Sequence, residues 1–338
     1  MRVGMAGLQA LYWPMAIGKG LQAKGVEFVA ATALGVEDER VAQALGATPQ
    51  EYAARFGLRL YPGAEEMIAA EELDTVVLIS RHSEHAAWVQ RLAPLGVNLF
   101  IPKTFTTTNG DAEAVVAAGK RYGVQIAVGP SARFLPPFLA VKRALDEGLI
   151  GRPFSMRLCH HHGTIDVFDA ADWYRDPQEG GPELSLGWYG VDLMLHFMQE
   201  QPVSVLAQYG NYTSPGSPFM DCGRIVLGFQ GGAQAAFDMY FCHRSAYPSW
   251  QLELVGPRGI LSIHRVEGDS SRTVVALDGP EGYRLLPVPQ ETPDWEMFWV
   301  DDLLQGRPPA VDAEQAARIT RLTLAARDSA HNDQVVRL

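Results

Sequence analysis

The sequence has few of the features that mark secreted, membrane or nucleic-acid-binding proteins. Only three cysteines occur among 338 residues and none forms a CxxC pair, so a disulfide framework or a zinc ribbon is not expected. Acidic residues outnumber basic ones by 39 to 28, and there is no run of Lys and Arg, which argues against a nucleic-acid partner. No apolar run is long enough to cross a membrane. These absences favour a globular protein of a reducing cytoplasm.

The apolar opening stretch, MRVGMAGLQALYWPMAIG, is the part of the chain that imitates a signal peptide. Arg2 would supply the charged n-region. Gly4, Gly7 and Pro14 interrupt the apolar core, however, and no small-residue cleavage site follows it. We therefore expect a cytoplasmic protein, with secretion as the less favoured alternative.

Two different patterns divide the chain near residue 128. Before that point, short apolar strands alternate with helical segments that often end at a glycine, which predicts a doubly wound parallel sheet. After it, strand-like runs joined by Gly and Pro turns predict a largely antiparallel sheet. The predicted fold is α/β, with a Rossmann-type dinucleotide-binding domain over residues 1–128. An α+β domain with an open sheet follows over 129–338 and would bind substrate and form oligomer contacts.

The first turn of a parallel sheet that begins at residue 2 is the expected place for pyrophosphate-binding glycines. The sequence there is GLQALY, which keeps Gly7 but has Gln9 and Tyr12 at the other two glycine positions. The second strand ends in Thr32 and Ala33 instead of a ribose-binding carboxylate. Loss of that carboxylate slightly favours NADP over NAD.

The segment GGPELSLGWYGVDLMLHF, residues 180–197, predicts an apolar helix with one thin polar stripe. At 100° per residue, Ser185, Tyr189, Asp192 and His196 fall on the same side of that helix. Such a stripe could be the edge of a helix that faces a cleft. It could equally consist of hydrogen-bonded core residues, and the pattern alone leaves both interpretations open.

Two further features carry candidate functional groups. Lys103 follows a predicted core strand, where it could donate to a substrate hydroxyl or carbonyl, although a solvated lysine is the simpler interpretation. His160 and His162 would share one face of a strand, as two metal ligands might be arranged. Without a matching pair elsewhere they are more typical of hydrogen-bonding residues, and we expect no metal.

Seven segments resemble, in the right order, the landmarks of the glucose-fructose oxidoreductase/inositol dehydrogenase/MocA (Gfo/Idh/MocA) family, and the resemblance runs nearly end to end. They are VEFVAAT, DTVVLISRHSEHA, VNLFIPKTFTTT, VGPSARFLPPFLAVKRALDEGLIGRPFSMRL, WYRDPQEGGPELSLGWYGVDLML, LELVGPRGILSI and GRPPAVDAEQAARITRLTLAARDSA. Members are typically dehydrogenases or reductases that pass hydride between NAD(P) and a sugar, polyol or related carbonyl. The resemblance implies such an activity, a small sugar-like substrate and a homodimer or homotetramer.

The resemblance also implies a catalytic pair. IPK matches the family's Glu-Lys-Pro motif only in Lys103, which corresponds to a catalytic or substrate-binding lysine. The family's helix with an Asp, a His four residues later and another Asp three further on has Ser185, Tyr189 and Asp192 at these positions. One branch, including glucose-fructose oxidoreductases, also has tyrosine there as the proton donor. Tyr189 is therefore the expected acid/base, and the ammonium of Lys103 would lower the pKa of a neighbouring phenol.

Two sets of binding residues complete the prediction. The predicted substrate set contains polar side chains and aromatic rings: Ser185, Asp192, His160, His162 and Trp173. The predicted cofactor set lies mostly at the carboxyl ends of the parallel strands: Gly7, Gln9, Ala10, Thr32, Ser80, His82, His85, Lys103 and Arg133.

The departures from the family pattern keep two other functions open. Six of these departures slightly favour a member that has lost catalysis and serves as a ligand-binding or regulatory protein: Gln9, Tyr12, Ala33, Pro102, Thr104 and Ser185. A hydrolase or lyase that uses the bound nucleotide as a redox cofactor within its cycle also occurs on this fold.

Overall fold

A computed structural model describes residues 1–163, 172–242, 249–266, 269–290 and 294–338. The chain forms two compact units, neither of them continuous in sequence. The first unit comprises Met1–Pro130, Asp166–Gly180 and Trp295–Arg321. The second comprises Ser131–Ile165, Gly181–Asp294 and Leu322–Leu338. Two stretches of the predicted 129–338 domain therefore belong to the first unit.

The first unit is built on a parallel sheet. Its strands are β1 (Arg2–Ala6), β2 (Glu27–Thr32), β3 (Arg59–Leu60), β4 (Thr75–Leu78), β5 (Asn98–Pro102) and β6 (Ile126–Gly129). They lie in the order β3-β2-β1-β4-β5-β6, and every neighbouring pair is parallel. The chain starts in the middle and winds outward in both directions, which confirms the predicted Rossmann-type sheet.

Helices connect these strands at the positions that the alternating pattern predicts. They are α1 (Trp13–Ala23), α2 (Asp38–Leu45), α3 (Pro49–Phe56), α4 (Ala64–Glu71), α5 (His85–Leu92) and α6 (Asn109–Tyr122). Left-handed glycines end α2, α3 and α6, at Gly46, Gly57 and Gly123. Glycine adopts this conformation without a steric penalty, so it is a frequent helix terminator.

The second unit contains a mixed sheet of nine strands. They are β7 (Ser155–His161), β8 (Pro202–Gly210), β9 (Cys222–Phe229), β10 (Gln234–Tyr240), β11 (Ser249–Gly256), β12 (Gly259–Val266), β13 (Asp269–Gly279), β14 (Gly282–Leu286) and β15 (Val336–Arg337). The order is β14-β13-β12-β11-β7-β10-β9-β8-β15. β7 and β10 pair in parallel and the other neighbours are antiparallel. This confirms the prediction of a largely antiparallel sheet.

Two helices, α7 (Pro136–Asp146) and α8 (Gly181–Met198), pack against strands of this sheet. α8 lies so close to β10 that a Cβ placed on Gly190 would be only 2.0 Å from the ring of Phe237. The opposite face of the sheet carries exposed side chains, including Arg157, Gln251 and Glu253. One side of the sheet is therefore open within its own unit.

The remaining helices are α9 (Phe298–Leu304) and α10 (Ala313–Asn332). Trp299 of α9 stacks on Phe100 of β5, with ring centroids 4.7 Å apart. This stacking brings a late segment of the chain onto the parallel sheet. Within the described ranges, no helix is both long and apolar enough to span a membrane.

Candidate active site

The turn after β1 requires a glycine. Gly7 has φ +101° and its N–H donates to the carbonyl of Thr32, at 2.9 Å. A Cβ at this position would lie 1.7 Å from the carbonyl oxygen of Ile79, just beyond β4. No side chain fits there, so Gly7 lets the carboxyl ends of three neighbouring strands come close together.

The rest of this turn fits a dinucleotide phosphate, although the glycine pattern is incomplete. The first turn of α1 contains no acidic residue, so its N-terminus keeps the positive end that favours an anion. Pro14 removes one N–H from that turn. Ala10 is buried, and its carbonyl accepts the N–H of Trp13 at 3.1 Å. At the end of β2, the hydroxyl of Thr32 accepts the N–H of Leu34, at 3.1 Å.

Residues 172–180 are fastened to the loop after β4 by the buried carboxylate of Glu179. It accepts hydrogen bonds from Arg81 Nε at 2.9 Å, from the N–H of Ser83 at 3.0 Å and from the Ser83 hydroxyl at 2.7 Å. Arg81 also donates to Asp176, at 2.8 Å. This network holds the segment in the first unit.

Trp173 belongs to that segment and lies beside the predicted cofactor turn. Its indole N–H donates to the carbonyl of Gln9 at 2.8 Å, and its ring is edge-on to His82 with centroids 5.1 Å apart. The sequence predicted a sugar-binding role for Trp173. Its described contacts include these two residues of the predicted cofactor set and the ring of Tyr174, on which it stacks with centroids 3.9 Å apart.

Two buried histidines follow β4. His82 Nδ1 lies 3.0 Å from the carbonyl of Glu179, and His85 Nδ1 lies 2.8 Å from the carbonyl of Phe105. Because a carbonyl only accepts, both Nδ1 atoms carry the proton. Burial lowers the pKa of His82 to about 3, with contributions from His85 and Lys103, and burial also lowers the pKa of His85. Both rings are therefore neutral at physiological pH. Ser80, nearby, is buried and its hydroxyl donates to the Arg81 carbonyl.

Lys103 follows β5 directly and lies in the same unit as these histidines. Burial lowers the pKa of its ammonium from 10.5 to about 7. A lysine with such a pKa changes protonation in the neutral range, as a group that moves protons must. Lys103 is half-buried, which favours a role in the site over the simpler interpretation of a solvated lysine.

Replacing Lys103 should remove a pH-dependent part of the stability. In the unfolded chain this lysine keeps its proton up to a pKa near 10.5, whereas in the folded chain the pKa is about 7. Between these values the unfolded state binds more protons, so stability rises with pH. We expect the urea midpoint of the parent, relative to Lys103→Met, to rise from about pH 7 towards pH 10. A constant difference would contradict the lowered pKa of Lys103.

In the second unit, Asp192 of α8 is fully buried in an ion pair. Its Oδ1 accepts from Arg133 Nε at 2.8 Å and its Oδ2 accepts from the Ser131 hydroxyl at 2.9 Å. For Asp192, the interpretation as a hydrogen-bonded core residue is therefore the better one. The pair also occupies Arg133, which the sequence placed in the cofactor set.

Tyr189 lies one turn before Asp192 and is buried against aromatic rings. Its phenol ring is edge-on to the indole of Trp250, with centroids 6.3 Å apart. The same indole stacks on His160 at 3.7 Å, and His160 is 5.3 Å from the ring of His162. The structure thus brings together Tyr189 and the two predicted substrate-binding histidines. Sequence reasoning missed Trp250, which lies in a strand and belongs to no motif.

The two ends of the polar stripe differ from its centre. Ser185 is buried near the start of α8. His196 is partly buried near its end, and burial lowers the pKa of this imidazole to about 3, helped by the positive charges of Arg133 and Lys142. His196 is therefore a neutral residue of the second unit.

Among the residues that the structure describes, no three His, Cys, Asp or Glu side chains are grouped to hold a metal ion. His160 and His162 contact aromatic rings of the second unit.

Two family models match the chain on either side of residue 130. The model described as "Oxidoreductase family, NAD-binding Rossmann fold" matches residues 1–130, and the model of the "GFO/IDH/MocA C-terminal domain" matches residues 138–262. The chain belongs to the Gfo/Idh/MocA family. This confirms the resemblance found in the sequence, and it makes the protein an oxidoreductase with an NAD-binding Rossmann fold.

Two proteins named as dehydrogenases match most of the chain. D-apiose dehydrogenase of Paraburkholderia graminis is 28% identical over 296 residues, which cover 84% of this chain and 78% of the relative. Myo-inositol 2-dehydrogenase of Thermotoga maritima is 25% identical over 294 residues, covering 83% and 84%.

A solved structure supports the fold of the whole chain. It is an oxidoreductase from Agrobacterium radiobacter in complex with NAD+, L-tartaric acid and magnesium. Its TM-score is 0.83 at 20% identity, with 100% of this chain and 98% of that chain covered. At this identity the likeness shows that the two proteins share the Gfo/Idh/MocA fold.

Proposed function

We propose that the protein is an NAD(P)-dependent dehydrogenase or reductase that transfers hydride between nicotinamide and a sugar, polyol or related carbonyl. The observation that carries the proposal is the buried Tyr189 phenol, whose ring is edge-on to the Trp250 indole that also stacks on His160, at the helix position where the family has its proton donor. The relatives named as D-apiose and inositol dehydrogenases support a hydroxylated substrate of this class.

The dinucleotide, when bound, supplies the hydride or accepts it. Gly7, Gln9 and Ala10 would hold its pyrophosphate at the start of α1, and Thr32 would lie near its ribose. The absence of a carboxylate at the end of β2 is compatible with a 2′-phosphate, so we propose NAD or NADP with a slight preference for NADP. Ser80, His82 and His85, at the carboxyl end of β4, are proposed to complete this site.

Tyr189 is proposed to give a proton to the substrate oxygen during reduction and to remove it during oxidation. Lys103, with its pKa of about 7, would assist by favouring the deprotonated phenol. His160, His162 and Ser185 would bind substrate hydroxyls, since imidazoles and hydroxyls donate and accept hydrogen bonds. Asp192 and Arg133 would act mainly by keeping α8 in place through their ion pair.

A turnover screen tests this proposal. The protein would be incubated with NAD+ or NADP+ and a panel of pentoses, hexoses and inositols, while the absorbance of reduced nicotinamide is followed. We expect turnover with at least one substrate, and loss of that turnover in Tyr189→Phe. If the folded protein binds NAD+ or NADP+ but forms no reduced nicotinamide with any compound of the panel, the catalytically inactive alternative is favoured.

We also propose that the protein forms a homodimer or homotetramer through the open face of the nine-stranded sheet. The face is broad and carries side chains of both charges, including Arg157 and Glu253. Size-exclusion chromatography with light scattering would show whether the mass of the protein is two or four times that of one chain. A monomer would contradict the proposal.

A further inference from the structure

The carboxylate of Glu179 joins two segments of the first unit. Its side chain is 1% exposed, and its oxygens accept hydrogen bonds from the guanidinium of Arg81 and from the N–H and hydroxyl of Ser83. The main-chain carbonyl of Glu179 accepts the Nδ1 proton of His82, at 3.0 Å. Three consecutive residues after β4 are thus bound to one residue that lies 96 to 98 positions later. A buried carboxylate is stable only when its oxygens are satisfied in this way.

The same segment is attached to the turn after β1 at a second point. Trp173, which is 5% exposed, donates its indole N–H to the carbonyl of Gln9 at 2.8 Å. Two turn bonds connect this point to Glu179. The N–H of Asp176 donates to the carbonyl of Trp173 at 3.1 Å, and the N–H of Glu179 donates to the carbonyl of Asp176 at 2.9 Å. A shift of Glu179 would therefore be passed along the main chain to Trp173.

The charges at this anchor are balanced within the first unit. The guanidinium of Arg81 contacts two carboxylates, Glu179 at 2.9 Å and Asp176 at 2.8 Å. A phosphate would have to compete with both of them, so direct binding of the dinucleotide by Arg81 is disfavoured. An effect of the anchor on dinucleotide binding would instead pass through the geometry of Trp173 and Gln9.

We propose that Glu179 is a positioning residue for the dinucleotide, because its carboxylate holds the segment in which Trp173 fixes the main chain at Gln9. This role rests on the proposed function, which takes the turn after β1 as the pyrophosphate site. A turn that is already held in its binding shape loses less conformational freedom when the ligand binds, and the affinity is higher for that reason.

The first test observes Trp173 in the protein without dinucleotide. In protein made with ¹⁵N-labelled tryptophan, the seven tryptophans each give one indole N–H signal by NMR, and the signal of Trp173 is the one missing from Trp173→Phe. In Glu179→Gln we expect this signal to shift and its N–H to exchange faster with water, because the indole loses a fixed acceptor. An unchanged Trp173 signal would overturn the proposal.

The second test measures the affinity for NADH and NADPH by calorimetry. Glu179→Gln keeps the size of the side chain but replaces one acceptor oxygen by an amide donor, and we expect the Kd to rise about 10-fold. Ser83→Ala is a milder variant that removes one hydroxyl donor, and its Kd should rise about 3-fold. An unchanged Kd in both variants would overturn the proposal, as would tighter binding by a guanidinium released from Glu179.

The parent protein separates this inference from the proposed function. If the parent binds neither dinucleotide, the proposed function fails and the positioning role fails with it. If the parent binds and both variants bind equally well, only the positioning role fails.

Glu71→Gln is the matched control. Glu71 is another buried carboxylate of the first unit, 2% exposed, and it pairs with Arg2 at 3.1 Å and with Arg59 at 3.0 Å. Arg2 and Arg59 begin β1 and β3, so this network lies at the amino ends of the strands. The variant should lower the urea midpoint and leave the Kd and the Trp173 signal unchanged. A similar rise of the Kd in Glu71→Gln would indicate general destabilisation and overturn the proposal.

A double-mutant cycle tests whether Glu179 acts through Trp173. Trp173→Phe keeps an aromatic ring but removes the indole N–H, so the bond to Gln9 is already lost in this background. Adding Glu179→Gln to Trp173→Phe should then change the Kd by less than about 2-fold, since the two substitutions break the same connection. A full 10-fold effect in both backgrounds would contradict the assigned route.

Discussion

Tyr189→Phe should lower kcat by about 10²- to 10⁴-fold, the usual contribution of a positioned acid or base. The variant keeps the buried ring beside Trp250 and loses only the hydroxyl, so the aromatic packing of α8 should survive. We expect KM to change little and dinucleotide affinity to be unchanged. Steady-state kinetics on the substrate found by screening, with calorimetry for the dinucleotide, would measure these effects.

Tyr240→Phe is the control for this experiment. Tyr240 ends β10 and lines the hollows on the open face of the sheet, so loss of its hydroxyl should leave kcat unchanged. Equal rates for parent and Tyr189→Phe would remove Tyr189 from the acid/base role. Equal losses in Tyr189→Phe and Tyr240→Phe would point to a general disturbance of the second unit.

Asp192→Ala should destabilise the protein by about 3–5 kcal/mol, because it leaves one member of a buried ion pair without its partner. Arg133, whose side chain is 14% exposed, would keep its charge in the core, and the Ser131 hydroxyl would lose its acceptor. Urea unfolding monitored by circular dichroism would measure the change. Asp192→Asn should cost less, since an amide oxygen can still accept from Ser131.

Asp238→Ala provides the matched comparison. Asp238 pairs with Arg224 on the open face of the sheet, where the arginine side chain is 58% exposed, so we expect a cost within about 1 kcal/mol. If Asp192 served mainly to bind substrate, Asp192→Ala would raise KM while leaving the urea midpoint near that of the parent. That result would contradict the structural role of the ion pair.

Most of the fold could be predicted because local signals and tertiary packing agree along this chain. The left-handed glycines at 46, 57 and 123 end three helices at the places where their sequence pattern ends. The two-residue strands β3 and β15 were missed, since each exists only through pairing with a neighbour. Residues 172–180 are held in the first unit by bonds such as the one between Arg81 and Glu179, 98 positions apart, and no local sequence pattern predicts such a bond.

The candidate site could be predicted only in part for the same reason. Helical periodicity placed Tyr189 and Asp192 on one stripe, but it could not tell which of them would be taken up by an ion pair. Arg133 lies 59 positions from its partner Asp192. Trp250 is set beside His160 by the pairing of β11 with β7, a strand register that becomes visible only in the folded sheet.

Titration of the purified protein with NADH and NADPH tests the central claim most directly. Nicotinamide fluorescence, tryptophan quenching and the heat of binding would be followed together. The account predicts binding in the micromolar range, about −8 kcal/mol at a Kd of 1 μM, by the turn that contains Gly7 and the start of α1. Folded protein that binds neither dinucleotide up to about 1 mM would contradict the assignment as an NAD(P)-dependent dehydrogenase.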